Sequence, residues 1–310
     1  MYALSGFLVA VVLLRGQLIS LFSGYPALST WFTVLVSISL QALPFLVMGI
    51  TLSACIATFV PAGALTRWLP RKPAFAVPVA ALSGTLLPGC ECASVPIAGS
   101  LVSRGVKPAI ALTFLLAAPA INPIVLVSTA VAFAGQPQVV LARFLGSLMT
   151  AVVVGWIWLR LGRDSLIRMP ARHTAATSRL GTFVAEARHD LFHAGGFLVL
   201  GSAVAATINV VVPRAWLDTL GGSLVVSVLV LAVFAVVVAI CSEADAFVAA
   251  SLTQFPLTAL LVFMVVGPAI DVKLFSMQVG TFGRRFATRF APLTLVVAVV
   301  AATAVGTVLL

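Results

Sequence analysis

Charge is what this chain has least of. Asp, Glu, Lys and Arg make up 8% of its 310 residues, and only eight residues are acidic. A soluble domain carries roughly 25% charged residues. Hydrophobic residues account for 62% and mean hydropathy is +1.20. That excludes an ordinary water-soluble globule, and several apolar runs reach the ~20 residues a spanning helix needs. Cysteine is scarce too: four residues in apolar sequence are too few for a disulfide framework. His-Glu-x-x-His, Gly-x-Ser-x-Gly and Walker sequences are absent. Their absence argues against an intramembrane metalloprotease, a hydrolase or an ATPase. We therefore expect no enzyme and no cofactor. Met1 to Ala10 lacks a basic residue, so 1–30 reads as an additional N-terminal transmembrane helix, not a secretory signal.

The net charge of +10 fits basic cytoplasmic loops better than nucleic-acid binding. Apolar runs cover 2–22, 31–60, 74–102, 108–134, 139–161, 191–212, 223–252, 257–282 and 289–309. Arg67, Arg71 and Lys72, then Arg104 and Lys107, then Arg160 to Arg188, then Arg284 and Arg285 place their loops inside. The loops at 135–138 and 253–256 carry no charge and read as external, as does 213–222. Both ends of 74–102 then lie inside and both ends of 223–252 outside, so each is expected to enter, break and return as a re-entrant hairpin.

The two halves resemble each other. Phe45-Leu46-Val47-Met48-Gly49 matches Phe197-Leu198-Val199-Leu200-Gly201, and Glu91 matches Glu243, both at an offset of 152 (197 − 45 and 243 − 91). Asn122 matches Asp271 and Arg143 matches Arg289 at shorter offsets. We expect an all-α polytopic bundle of two inverted repeats, 31–161 and 191–310, joined by a basic cytoplasmic linker at 162–190.

Three of the eight acids lie in the two breaks, Pro88-Gly89-Cys90-Glu91-Cys92 and Cys241-Ser242-Glu243-Ala244-Asp245. A carboxylate at membrane depth is costly and marks an ion or substrate path. Cys90 and Cys92 offer soft sulfur and Glu91 hard oxygen, a mixture suited to a thiophilic or borderline cation. Ser242, Glu243 and Asp245 would face them, with Asn122 and Asp271 completing the walls. Cys90, Glu91, Cys92 and Glu243 are the expected metal-contacting set. Pro88 and Gly89 are expected to end one helix and Pro96 to lie near the start of the next, with irregular backbone between. Capping by Ser242 and Glu243 at the start of a helix over 243–252 is the plainer reading of the second break. Lys273 could simply neutralise Asp271. Arg143 and Arg289 are expected to snorkel to an interface. His173, His189 and His193 are expected to be solvated.

These stretches, with Ser103-Arg104-Gly105-Val106, Ala117 to Pro123 and Gly267 to Asp271, resemble the predicted permease family of YraQ-like proteins and organoarsenical efflux permeases (the UPF0718 type) over about 30–310. The resemblance implies a multi-pass permease of the bacterial cytoplasmic membrane. For some members it implies efflux of trivalent organoarsenicals through cysteine. Three carboxylates in the breaks favour a divalent cation such as zinc here, with the arsenical as alternative. Protonation of Glu91 or Glu243 is the natural coupling step. A non-transporting membrane metal or redox sensor is the further alternative, and an accessory membrane or extracytoplasmic subunit stays open.

Overall fold

A computed structural model describes residues 26–61, 70, 72–86, 90–162, 166–167, 179–211 and 223–310. The expected helix at 1–30 and the loop at 213–222 fall wholly or largely outside them, as does His173. The described residues form helices and no strand. In chain order the first six helices are α1 (Pro26–Phe59), α2 (Pro73–Ser83), α3 (Glu91–Ser103), α4 (Pro108–Ile121), α5 (Pro123–Ala132) and α6 (Pro137–Leu161). The next six are α7 (Arg179–Val211), α8 (Leu224–Val238), α9 (Asp245–Ser251), α10 (Leu257–Ala269), α11 (Val272–Phe282) and α12 (Arg284–Leu309). A short 3-10 turn, Gly84–Leu86, extends α2. The second six repeat the first six in kind and order.

Among the described residues, six stretches are long and apolar enough to cross a membrane: 27–59, 108–132, 137–161, 180–208, 257–282 and 284–309. Three fall in each half. The two segments read as hairpins are built differently. Neither α2 with its 3-10 turn nor α8 reaches spanning length, and each is followed by a break and a second helix, α3 or α9. α8 has 15 residues, or roughly 22 Å at ~1.5 Å per residue, against a hydrocarbon core of ~30 Å.

Some of the packing is alike in the two halves, although α1 lies on α3 while α7 lies on α11. α4 lies on α6 as α10 lies on α12, and α2 lies on α4 as α8 lies on α10. The halves meet through α1 with α7, α4 with α10, α3 with α11, and α9 with α5. α4 and α10 are buried on every face after their first residue, as helices apolar all round must be. Thus α3 packs on α11 and α9 on α5, each across the two halves.

Local chemistry explains the interruptions. Pro78 removes the N–H that would bond the Ala74 carbonyl, and the Trp156 indole donates to that carbonyl instead, at 2.9 Å. α5 opens at Asn122, whose Oδ1 accepts from Val125 N (3.0 Å), with Pro123 in the first position. α11 opens at Asp271, whose Oδ1 accepts from Leu274 N (2.5 Å). The matched pair Asn122 and Asp271 are therefore the two N-caps at the same break in each half. α8 ends on Ala239 with φ 52°, the one non-glycine residue with positive φ among those described.

The repeated Phe-Leu-Val-x-Gly stretch also has a packing reason. A Cβ on Gly49 would lie 2.5 Å from the Ala93 Cα, in the first turn of α3, and one on Gly201 would lie 2.8 Å from the Lys273 Cα. Each glycine lets a long helix approach the backbone beside a buried charge. Gly49→Ala is expected to destabilise the protein by about 1–3 kcal/mol, the usual cost of overpacking. Thermal unfolding in detergent reads this, and an unchanged midpoint would contradict the close contact.

Two boundaries differ from the sequence expectation. α7 begins at Arg179, inside the segment read as linker, because 179–190 continues as helix beyond the apolar stretch. α9 begins at Asp245 and ends at Ser251, not 243–252. Ser242, Glu243 and Ala244 form a turn bonded back to the Cys241 carbonyl by Ala244 N (2.9 Å) and Asp245 N (3.1 Å). Neither Ser242 nor Glu243 caps α9.

Candidate cation site

The two breaks meet in the interior. Cys90 is the N-cap of α3, and Glu91 is its first residue, where an acid is favoured by the helix dipole. Glu91 and Cys92 are thus already helical, and Pro96 lies inside α3 instead of near its start. The sequence expectation for Pro88 and Gly89 falls outside the described residues, but from Glu91 onward the chain is helical, since an acidic first turn needs no proline to begin a helix. One ligand atom each from Cys90, Glu91 and Cys241 lies within 4.8 Å of the others, and all three residues are buried. Cys241 donates to Glu91 Oε1 at 3.8 Å. The cluster joins residues 150 positions apart, one interruption from each half.

Two ion pairs flank it, and both connect the halves. Lys273 Nζ donates to Glu91 Oε1 at 2.5 Å and lies 3.9 Å from Asp271 Oδ2. Lys273 is thus buried against Glu91 first and Asp271 second. Arg143 donates from one terminal nitrogen to Asp245 Oδ2 (2.7 Å) and to the Ser242 carbonyl (3.1 Å), and from the other to Thr129 Oγ1 (2.8 Å). Arg143 is 0% exposed, so it does not snorkel; its repeat mate Arg289 is exposed. The matched arginines part because Arg143 faces an acid of the other half.

Several buried acceptors have no hydrogen bond among the described residues: Glu91 Oε2, both oxygens of Glu243, Ser242 Oγ, Asp245 Oδ1 and Asp271 Oδ2. Buried polar groups are normally satisfied. Four carboxyl groups, those of Glu91, Glu243, Asp245 and Asp271, outnumber the two buried basic side chains, Arg143 and Lys273. Cys92 is buried and neighbours the Cys90 thiol, but it is outside the three-ligand group. Glu243 is half-buried and also outside it. Asn122 Oδ1 and Nδ2 bond to Val125 N and the Ala118 carbonyl, within its own break.

Sequence reasoning placed Cys241 in the second break but gave it no role. The signal was there: it is the one thiol beside the second-half acids. Lys273 was read against its neighbour Asp271, although its closer partner is Glu91, 182 positions away.

Comparison with known proteins bears on the class. A family model described as "Predicted permease" (ArsP_1) matches residues 27–307. The chain belongs to this predicted permease family. Two relatives extend the likeness along nearly the whole length. UPF0718 protein YcgR of Bacillus subtilis (strain 168) is 34% identical over 278 residues, covering 87% of this chain and 94% of that one. A Streptococcus mutans serotype c (strain ATCC 700610 / UA159) protein named "Putative two-component membrane permease complex subunit" is 30% identical over 266 residues, covering 83% and 88%. No solved structure matches. The permease is therefore a multi-pass membrane protein, in keeping with its six apolar helices.

Proposed function

We propose that the permease moves a thiophilic or borderline divalent cation, zinc-like in its ligand preference, through the interior site of Cys90, Glu91 and Cys241. The observation that carries this reading is the convergence of those three ligand atoms from opposite halves. Two sulfurs and one oxygen suit a borderline cation and leave one tetrahedral position open. An incomplete set can release what it binds, as a carrier must. The excess of buried carboxylates supports a charged cargo over a neutral one.

Lys273 is the natural occupant when cargo is absent. Its ammonium sits where a cation bound to Glu91 Oε1 would sit, so arrival of the cargo requires it to turn away towards Asp271. The inverted repeat accounts for the motion. Three crossings per half and one returning hairpin leave the second half upside down relative to the first, as the loop charges also suggest. On that topology Thr129 and Arg143 lie on the outer side of the site, so the Arg143–Asp245 pair acts as an outer closure between halves.

The neighbouring thiols of Cys90 and Cys241 favour one second reading, efflux of a trivalent arsenical held by two sulfurs. The name of the S. mutans relative makes an accessory subunit worth seeking. Purified permease in proteoliposomes separates the cargoes: zinc flux is expected and trivalent arsenical flux is not. If neither moves down any imposed gradient, the transport reading fails. Glu243→Gln, which removes a half-buried acid outside the three-ligand group, should slow zinc flux without stopping it. Flux equal to the parent would remove Glu243 from the path. For topology, a cysteine placed within 213–222 should react with an impermeant maleimide added outside; labelling only from inside would overturn the inversion.

A further inference from the structure

A second polar cluster lies away from the Cys90–Glu91–Cys241 site. A cavity of about 40 Å³ is lined by Ser53, Ser100, Glu186, His189, Asp190 and His193, with Thr281 at its edge. That exceeds the roughly 10–15 Å³ one water needs. Its walls are α1, α3, α7 and α11, two of which also carry Glu91 and Lys273. The α3 residues on its wall, Pro96 to Ser103, lie roughly 8–18 Å beyond Glu91 at ~1.5 Å per residue. They sit towards Arg104 and Lys107, the end that loop charge assigns to the cytoplasm.

The α7 groups follow a ligand-like spacing. Glu186, His189, Asp190 and His193 stand at i, i+3, i+4 and i+7, which places them on one helix face. Two histidines four residues apart on a helix are a recurrent pair for a divalent metal. Here their rings are parallel to within 9°, with centroids 5.7 Å apart. His193 Nε2 lies 3.0 Å from the Gly280 carbonyl. A carbonyl can only accept, so Nε2 carries a proton, and in the neutral ring Nδ1 then keeps its lone pair. Metal-binding histidines are commonly held in this way. Glu186 is only 9% exposed, lines the cavity and has no hydrogen bond or ion pair among the described residues. His193 is exposed and His189 half-buried, as expected for solvated rings, and both also line this cavity because α7 continues as helix past the apolar stretch.

We propose that this cavity is a cytoplasmic antechamber that binds the same class of divalent cation through His189, His193 and Glu186 before it reaches the thiol site. Its groups converge less tightly than the thiol cluster, since no three of their ligand atoms lie within 4.8 Å. The cation would keep part of its water and exchange quickly, as an entry site requires. Asp190, bonded by the Ser53 hydroxyl at 2.9 Å, adds negative charge to the wall. The proposal rests on the reading that the chain conducts a cation, but binding tests it separately.

Cobalt(II) titration of the purified full-length protein distinguishes the sites by ligand type. Two components are expected: one with thiolate-to-cobalt charge transfer, and one with only the ligand-field bands of nitrogen and oxygen ligands. His189→Gln with His193→Gln should weaken the second by at least about tenfold and leave the thiolate band intact, which also reports that the variant is folded. Glu186→Gln should weaken the same component. A titration showing only the thiolate component, or a nitrogen–oxygen component unchanged in these variants, would overturn the antechamber. A nitrogen–oxygen component that responds to them without any thiolate band would uphold the antechamber and overturn the thiol site.

Discussion

Glu91→Gln is expected to abolish zinc flux through the reconstituted permease. The substitution keeps the size of the side chain and removes its charge. Glu91 Oε1 is the atom shared by Lys273 at 2.5 Å and Cys241 at 3.8 Å, so it supplies both the ligand oxygen and the charge that a cation would replace. The loss should exceed the roughly 10–100-fold that even a supporting residue costs a metal site. Removing one partner of a buried ion pair can also destabilise by about 3–5 kcal/mol. A second variant separates the two effects. Lys273→Met in the Glu91→Gln background removes the stranded ammonium and should recover stability, while flux stays absent. Recovered flux in the double variant would show that Glu91 serves only to neutralise Lys273.

Arg143→Leu is expected to be the most damaging single change to the fold. It leaves Asp245, 2% exposed, without a counter-charge and leaves the Ser242 carbonyl and Thr129 without their donor. An uncompensated buried charge costs about 3–5 kcal/mol, enough to unfold a marginal protein. Adding Asp245→Leu should restore most of the loss, since replacing a buried pair with apolar residues is often neutral or stabilising. Thermal unfolding of the three variants reads this directly; a single variant as stable as the parent would contradict the pairing. The restored protein should leak cargo on the proposed reading, because the outer closure between α6 and α9 is gone.

Much of this architecture was visible in the sequence. Each apolar run from 31–60 onward became a helix or a broken pair of helices, because hydropathy and proline report on local chain. The breaks at 90 and 241 were visible for the same reason: rare acids and cysteines interrupt apolar sequence there. What local reading could not supply was partners. Arg143 has the same neighbours in sequence whether it snorkels or is buried, and only the approach of α9 decides. Lys273 has Asp271 two residues away, yet its shorter contact is with Glu91 on α3. Cys241 became part of the cluster only when the two halves closed on each other. Glu186 to His193 were hidden differently. Their spacing was in the sequence, but a basic segment was read as linker, and the face they share exists only if the segment is helical.

The claim at the centre is that the two halves share one cation site with sulfur from each. Zinc-edge X-ray absorption on purified permease loaded with one equivalent of zinc tests it most directly. Two sulfur neighbours at roughly 2.3 Å with oxygen at roughly 2.0–2.2 Å are expected, falling to one sulfur in Cys241→Ser. A zinc shell without sulfur, or one that keeps both sulfurs in that variant, would contradict the account.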